Sequence, residues 1–454
     1  MPLILLAVVE TLILVASVYF ARVVAFGNFE LAEQSLSSVA PKALTLATVM
    51  LLALIATGLY QFHRRVYFHE IFVRVLVGFF LGSIVLGAAY YAIPSVGLDP
   101  KIAFLAVATA LVLLSLTRLV FSRVVDENIF RRRTVIFGAG QRSKVVTKLR
   151  RRADRRGFHL VGTVPAPGDE MREDQTGVCH NVDCLLQYAI DHKADEIVVA
   201  MDDRRGNLPI RALLDARLRG IEVIDLVDFM ERETGKIRLD LVNPGWLIFA
   251  PGFRITRLRR LNKRLLDVAV ASAALILTWP VMLLVALAIK IGDGPSLPVL
   301  YKQRRVGLNG RVFDVLKFRS MRPDAEKEGT AQWAVENDPR VTRIGNVLRK
   351  YRLDELPQIF NVLAGQMSIV GPRPERPEFV DQLSAEIPYY AERHTVKPGV
   401  TGWAQLRYAY GASAEDAKEK LQYDLYYVKN HSLPLDLMIM LQTVEVILWG
   451  KGAR

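Results

Sequence analysis

The sequence predicts a membrane protein of α plus α/β type, and three observations carry that reading. Four long apolar runs fill the first quarter of the chain. A glycine turn after Arg133 opens an alternation of short strands and helices, and a further apolar stretch from Leu265 to Ile291 precedes a basic, aromatic-rich C-terminal region. With 454 residues, 51% of them hydrophobic, and a mean hydropathy of +0.22, the chain is too apolar for an ordinary soluble protein and long enough for two or three domains.

The first four runs cover Leu3 to Phe20, Ala43 to Tyr60, Ile71 to Ala92 and Ile102 to Leu119. Each approaches or exceeds the roughly 18 to 20 residues that cross a bilayer as a helix, which sets a four-helix transmembrane region over residues 1–125. No Lys or Arg precedes the first run and three more runs follow, so a cleaved signal peptide is not expected. Loop charge gives the orientation. His63-Arg64-Arg65 after the second run, and Arg118, Arg123 and Arg131-Arg132-Arg133 after the fourth, point to the cytoplasm, while Glu30 and Glu33 mark an outward loop. Everything after Arg131 is therefore expected inside. Glu10, within the first run, is expected to make a polar contact between packed helices.

The net charge of +13 sits largely beside apolar segments, where Lys and Arg meet anionic lipid; no nucleic-acid motif is evident, so nucleic acid is not an expected partner. Cys179 and Cys184 cannot build a framework of bridges, and His180 adds too few ligands for a metal site, so both are read as free thiols.

Over residues 130–250 the chain reads as a small parallel α/β domain. The strand Thr134-Val135-Ile136-Phe137 runs into Gly138-Ala139-Gly140-Gln141-Arg142-Ser143 and a helix-like Lys144 to Arg152, with further strands expected at His159 to Val164, Glu196 to Ala200 and Glu222 to Leu226. This is a degenerate Rossmann-like pattern. Gly138 and Gly140 are weak cofactor candidates, because Ser143 replaces the third glycine and the stretch Gly162 to Gly168 carries no acid for a ribose hydroxyl. A scaffolding or regulatory domain is the reading that follows.

The fifth apolar stretch, residues 260–292, contains Trp279-Pro280. Proline removes a backbone donor and clashes with the preceding turn, so a break is expected at Pro280, leaving arms of roughly fifteen and eleven residues, too short to cross. A segment that enters and returns by one face keeps residues 293–454 cytoplasmic; a plain fifth span would put that basic region outside.

In that last region, Tyr351-Arg352-Leu353-Asp354-Glu355-Leu356-Pro357-Gln358 sets two adjacent carboxylates among arginines, shortly before Gly371-Pro372-Arg373-Pro374. Arginines hold anionic oxygens through forked hydrogen bonds, and carboxylates attack phosphorus, bind a metal or move protons. An exposed helix start with Asp as N-cap is the structural alternative. If one helix ran unbroken from Val341, the step from Arg349 to Asp354 would turn about 140° and point them apart, so a break near Arg352 is a condition of joint action.

These motifs resemble the bacterial sugar transferases, the monotopic polyprenyl-phosphate phosphoglycosyl transferases that start exopolysaccharide and O-antigen assembly. They come in order with Tyr301-Lys302-Gln303-Arg304-Arg305, Phe313-Asp314-Val315-Leu316-Lys317-Phe318-Arg319-Ser320-Met321, Asn337-Asp338-Pro339-Arg340 and Lys397-Pro398-Gly399-Val400-Thr401-Gly402-Trp403. The resemblance runs from about Asn262 to the C-terminus, and the four preceding runs and the nucleotide-fold domain look like the large branch of that family. The ending Leu448-Trp449-Gly450-Lys451-Gly452 is similar to members associated with exosortase-type loci. In many members Ser, not Trp279, precedes the membrane proline.

The resemblance implies Asp354 as nucleophile toward a UDP-sugar, with UMP released and the phosphosugar passed from the enzyme to undecaprenyl or another polyprenyl phosphate. It implies Glu355 in proton handling or positioning, and Arg349 and Arg373 on the phosphates. Lys302, Lys317, Arg319 and Arg304 are expected either to add positive potential or to be solvated or lipid-facing charges, and the resemblance implies Mg2+ with Asp354 as a ligand. Thr401-Gly402-Trp403 is expected either to shape the substrate pocket or to form a turn with a core tryptophan. The helix from Glu415 to Lys429, with Tyr423, Tyr426 and Tyr427, is expected either to rest on headgroups or to be an ordinary amphipathic surface helix. The implied location is the bacterial inner membrane, with the catalytic domain in the cytoplasm. The oligomeric state, a homo-oligomer among the options, stays open. Two rival readings are a membrane-tethered NAD-dependent nucleotide-sugar oxidoreductase or epimerase, and an inactive membrane scaffold.

Overall fold

The computed structural model describes residues 2–26, 36–57, 59–60, 68–124, 131–147, 149, 157–167, 169, 184–204, 208–242, 244–253, 256–294, 296–322, 340–408, 411 and 413–449. The loops with Glu30, Glu33 and His63-Arg64-Arg65, the side chain of Arg123, Cys179, His180, Asn337-Asp338-Pro339 and the ending from Gly450 lie outside the described residues. The chain divides into two compact units, Met1–Thr234 and Gly235–Arg454.

Among the described residues the first unit opens with α1 (Pro2–Phe26), α2 (Leu36–Ala56), α3 (Phe68–Ala92) and α4 (Pro100–Val124). Helix α1 packs on α2 and α4, and α3 on the same two. Leu14, Leu46, Met50, Phe79 and Leu114 fill the interior, while Leu12, Phe80 and Phe104 stay exposed. A bundle that is apolar on both faces belongs in lipid. Leu5–Ala25, Arg74–Ala92 and Pro100–Phe121 are long and apolar enough to cross a membrane, as is Arg257–Gly292 in the second unit, whereas α2 contributes the shorter apolar stretch Val39–Ile55. Glu10 makes the expected interhelical contact. It is fully buried, accepts from Nη2 of Arg118 at 2.9 Å and also pairs with Tyr60. Arg118, read in the sequence as following the fourth run, is a buried member of α4 that also donates to the Leu59 carbonyl at 3.0 Å. The buried carboxylate explains this burial, since a charge in a bundle needs a partner.

The α/β part of this unit carries β1 (Arg132–Phe137), β2 (Phe158–Val164), β3 (Glu196–Val199) and β4 (Glu222–Asp225), with α5 (Leu185–Asp191), α6 (Ile210–Leu218) and α7 (Leu226–Thr234). The sheet is parallel throughout, in the order β2-β1-β3-β4, as the alternation of strands and helices requires. Cys184 is disulfide-bonded, which corrects its reading as a free thiol. The nucleotide-fold elements end at Thr234, so residues 235–250, expected to close this domain, belong to the second unit. There Ile237 joins a core with Phe379, Leu383 and Leu425.

The second unit begins with the short α8 (Pro244–Phe249) and the long α9 (Arg257–Asp293), then the hairpin β5 (Leu300–Val306) and β6 (Val312–Phe318). It continues through α10 (Arg343–Lys350), α11 (Gln358–Leu363), β7 (Ser368–Val370), α12 (Pro377–Glu386), β8 (Gly399–Thr401), α13 (Trp403–Arg407), α14 (Ala414–Asn430) and α15 (Leu433–Trp449). Strands β7 and β8 pair in parallel.

Helix α9 is continuous through Pro280, so the expected break into two arms is not seen. The proline costs the ladder one donor, opposite the Ile276 carbonyl, a loss that an apolar, well-packed helix tolerates. Packing supplies the compensation on both sides of it. Ala271, Ala274 and Leu275 meet Val315, Ile359, Val362 and Met367; Met282, Val285 and Ile289 meet Phe318, Leu348, Leu353 and Leu356. The N-terminal half is also pinned by polar bonds. Lys263 reaches the Val370 carbonyl at 3.0 Å and Asp436 at 2.8 Å, and Arg264 donates to the carbonyls of Val362 and Leu363 at the end of α11. Asp267 accepts from the Ser368 hydroxyl and the Ile369 N–H at 2.8 and 3.0 Å. The opposite face, with Ile276, Leu277, Trp279, Leu284 and Leu287, is exposed.

Candidate active site

The two carboxylates lie at a joint between helices, and the joint has identifiable causes. Helix α10 starts at Thr342, whose side chain accepts from the Gly345 N–H at 2.9 Å. Gly345 is required because a Cβ there would stand 1.9 Å from the Ser320 carbonyl oxygen, so the helix start lies directly on the end of the β5–β6 hairpin. After Tyr351 the chain turns at Arg352, which takes the left-handed conformation at φ 55° and ψ 23°. For a non-glycine residue that costs about 1–2 kcal/mol, and such strain concentrates at functional joints. A single 3-10 turn, Leu353–Glu355, follows, and then α11. The break near Arg352 is therefore present. The pair is no exposed helix cap: Asp354 is 9% exposed, and Leu353 and Leu356 on either side of the pair pack on α9.

The two carboxylates have different surroundings. Nη2 of Arg373 donates to Glu355 at 2.5 Å, and Lys317 Nζ stands 3.8 Å from the same oxygen. Burial alone would raise the Glu355 carboxyl, but Arg373, Lys317 and Arg352 outweigh it and hold it down at about 2. Asp354 is pushed the other way, up, by burial first and by the neighbouring Glu355 charge second, with Lys317 and Arg349 pulling against them. Among the described residues no side chain hydrogen-bonds or ion-pairs with Asp354. Burial lowers the Lys317 ammonium to about 8, with Arg373 and Arg305 adding to the effect and Glu355 opposing it.

Lys317 and Arg373 thus lie beside Glu355, and the charges of Lys317 and Arg349 act on Asp354. Arg304 does not join them. On a strand alternate residues face opposite sides, and the hairpin register pairs Tyr301 with Lys317 and Arg305 with Phe313. Arg305 therefore shares the face of Lys317, while Arg304 points to solvent. Arg305 donates to Gln303 Oε1 at 2.7 Å and to the Pro374 carbonyl at 3.2 Å. Arg319 is buried just beyond β6, its backbone N–H bonded to the Val299 carbonyl at 2.9 Å.

The loop after β7 is clamped so that Arg373 can reach Glu355. Gly371 bonds the Thr401 carbonyl and Gly399 the Pro372 carbonyl, both at 2.9 Å. A Cβ on Gly371 would lie 2.3 Å from the Lys397 oxygen, so only glycine permits this backbone contact. Buried Arg393, paired with Asp424 at 2.7 Å, donates to the Arg373 carbonyl at 3.0 Å. Asn361 accepts from the Leu316 N–H at 2.9 Å and donates to the Asp314 carbonyl at 2.7 Å, tying α11 to the strand of Lys317. Sequence reasoning missed Arg305, Asn361, Arg393 and Asp424. Only the alternation of β5 could have pointed to Arg305, and only with the register in hand.

Two expectations settle on their structural side. Trp403 is 1% exposed and donates to the Gly235 carbonyl at 2.8 Å, which makes it a core residue and not a pocket wall. Tyr423 and Tyr427 of α14 are likewise core, so α14 does not lay those rings on headgroups. Among the described residues no group of three or more His, Cys, Asp or Glu side chains could hold a metal ion. With Glu355 engaged by cations, Asp354 is the carboxylate left to a divalent ion. One carboxylate is enough for Mg2+ when substrate phosphates and water complete its shell.

The sequence model of the bacterial sugar transferases matches residues 258–450. The Rhizobium leguminosarum protein named exopolysaccharide production protein PSS is 45% identical over 197 residues, which is 42% of this chain and 97% of that one. This chain belongs to the bacterial sugar transferase family. Another relative in the family is the UDP-glucose:undecaprenyl-phosphate glucose-1-phosphate transferase of Caulobacter vibrioides, 43% identical over 210 residues, 46% of this chain and 78% of the relative. A third is the UDP-N-acetylgalactosamine-undecaprenyl-phosphate N-acetylgalactosaminephosphotransferase of Aeromonas hydrophila, 44% identical over 247 residues, 54% of this chain and 56% of the relative. The chain thus spans little more than half the length of the Aeromonas sugar transferase.

Proposed function

We propose that this sugar transferase moves a hexose-1-phosphate from a UDP-sugar to a polyprenyl phosphate such as undecaprenyl phosphate, releasing UMP, as the first membrane step of exopolysaccharide assembly. One observation carries the reading: of two adjacent buried carboxylates, Glu355 is engaged by Arg373 and Lys317 while Asp354 is left unpaired among the described side chains. An Asp354 oxygen attacks the β-phosphorus. The bond from that phosphorus to the bridging oxygen breaks, and UMP leaves with the electron pair. The phosphosugar is then held as an acyl phosphate, which an oxygen of the lipid phosphate attacks, returning the carboxylate. Arg349, Arg373, Lys317 and Arg305 supply positive charge for the phosphates; Asp354 is the residue that would hold Mg2+, and such an ion would supply further positive charge for the departing UMP. Glu355 positions Arg373 and Lys317 and, already ionised, has no proton to give.

The lipid phosphate meets the site at the cytoplasmic face of the inner membrane if α9, unbroken at Pro280, rests along that face with Ile276, Leu277, Trp279, Leu284 and Leu287 toward lipid and does not cross. Its packing on the transferase core on both sides of Pro280 supports this arrangement, because a perpendicular span would carry one half away from the domain. The relatives' names give different sugars, so the test is a panel of UDP-sugars with polyprenyl phosphate, read as UMP. UDP-sugar without lipid should give one equivalent of UMP and an enzyme heavier by the phosphosugar. Asp354→Asn should give neither; UMP release at the wild-type rate by this variant would overturn the nucleophile.

A further inference from the structure

The glycine turn of the first unit lies at the C-terminal end of β1, beside β3. That is the switch point of the sheet, where a Rossmann fold receives the phosphates of a dinucleotide on backbone amides. Here those amides already hold anionic oxygens of the chain itself. Asp202, just after β3, accepts from the Gln141 N–H at 2.6 Å and from the Arg142 N–H at 2.8 Å. Asp169, beyond β2, accepts from the Ala139 N–H at 2.6 Å and from the Ala166 N–H at 2.8 Å. Asp169 also lies just past the Gly162 to Gly168 stretch, and its carboxylate is engaged by these two amides. The glycines fit this arrangement. Gly138, at φ 114°, lets the turn lie against the Ala200 backbone, and a Cβ on Gly140 would stand 2.1 Å from Asp202 Oδ2. The missing side chain that would admit a pyrophosphate here admits a carboxylate.

We infer that the nucleotide-fold domain is self-liganded: Asp202 and Asp169 occupy the phosphate cradle and close it to NAD and other dinucleotides. A diphosphate would have to displace the three hydrogen bonds that the turn amides of Ala139, Gln141 and Arg142 make to charged oxygens and then sit beside two freed carboxylates, whose like charge opposes it. The residues therefore do not fit the cofactor that the fold implies, and the oxidoreductase reading loses its site.

The test uses the full-length protein in lipid nanodiscs, with NAD+ and inorganic pyrophosphate as probes and hydrogen exchange of the peptide over residues 138–146 as readout. In the wild type, millimolar NAD+ or pyrophosphate should leave exchange of this turn unchanged. Asp202→Ala should speed it about tenfold, the effect of losing a bond to a charged acceptor, and pyrophosphate should then slow it again. Asp202→Asn, which keeps an acceptor oxygen, should stay near the wild type without ligand. Protection of the wild-type turn by NAD+, or unchanged exchange in Asp202→Ala, would overturn the inference. Should Asp202→Ala unfold the domain, the wild-type arm decides alone.

Discussion

Replacing Arg373 with alanine separates the electrostatic role of Glu355 from simple loss of a surface charge. Glu355 is held from the usual 4.5 down to about 2, which at about 1.4 kcal/mol per tenfold favours its charged form by about 3 kcal/mol. Arg373 is the largest of the charges responsible, but its side chain is 35% exposed, so solvent screens it and about 1–2 kcal/mol is the expected loss at pH 7. For a unit of this size that is a fall in Tm of about 3–6 °C. The pH dependence is the sharper part. In the wild type the depressed carboxyl contributes stability above pH 4.5 that disappears as pH falls toward 2. In Arg373→Ala, Lys317 and Arg352 still favour the charged form, so the same carboxyl stays below 4.5 but above its wild-type position, and the variant loses its smaller contribution at a higher pH than the wild type does. The gap in Tm between the two proteins should therefore hold from pH 8 to about 5 and narrow as pH falls from 4.5 toward 2, and in a Glu355→Gln background Arg373→Ala should cost clearly less. A gap that is as wide near pH 3 as at pH 7, or wider, with no rescue by Glu355→Gln, would refute the reasoning.

Other outcomes follow from the same geometry. Because burial lowers Lys317 to about 8, kcat/KM for UMP release should fall as pH rises through 8, and Lys317→Arg should move that limb beyond pH 10. Gly345→Ala places a Cβ against the Ser320 carbonyl and should lower stability by about 1–3 kcal/mol, measured by thermal unfolding, with reduced UMP release. A cysteine at Ser296, just past α9, should react with an impermeant thiol reagent only from the cytoplasmic side; labelling in intact cells would restore a full span.

What was legible in the sequence depended on how local its cause is. The strands of the middle domain appear within two residues of where alternation puts them, and the need for a turn at Arg352 follows from helical geometry alone. The choice between Arg304 and Arg305 needed the partner strand, since a shift of one residue exchanges the faces. Trp403, Tyr423 and Tyr427 read equally well as pocket, membrane or core residues until long-range packing put them inside. At Pro280 a sound local rule lost to contacts with Val315, Ile359, Phe318 and Leu348, none of them near it in sequence.

The docking of α9 bears on how this protein can be dissected. Its apolar length invites treatment as a detachable anchor, to be trimmed away or exchanged for any hydrophobic helix when preparing a soluble enzyme. Yet Val362 and Met367 would lose their cover, Ser368 its carboxylate partner, and the turn bearing Asp354 the wall against which Leu353 and Leu356 rest. The shortest fragment able to fold as a transferase accordingly begins before Lys263, and the anchor is inseparable from the catalyst.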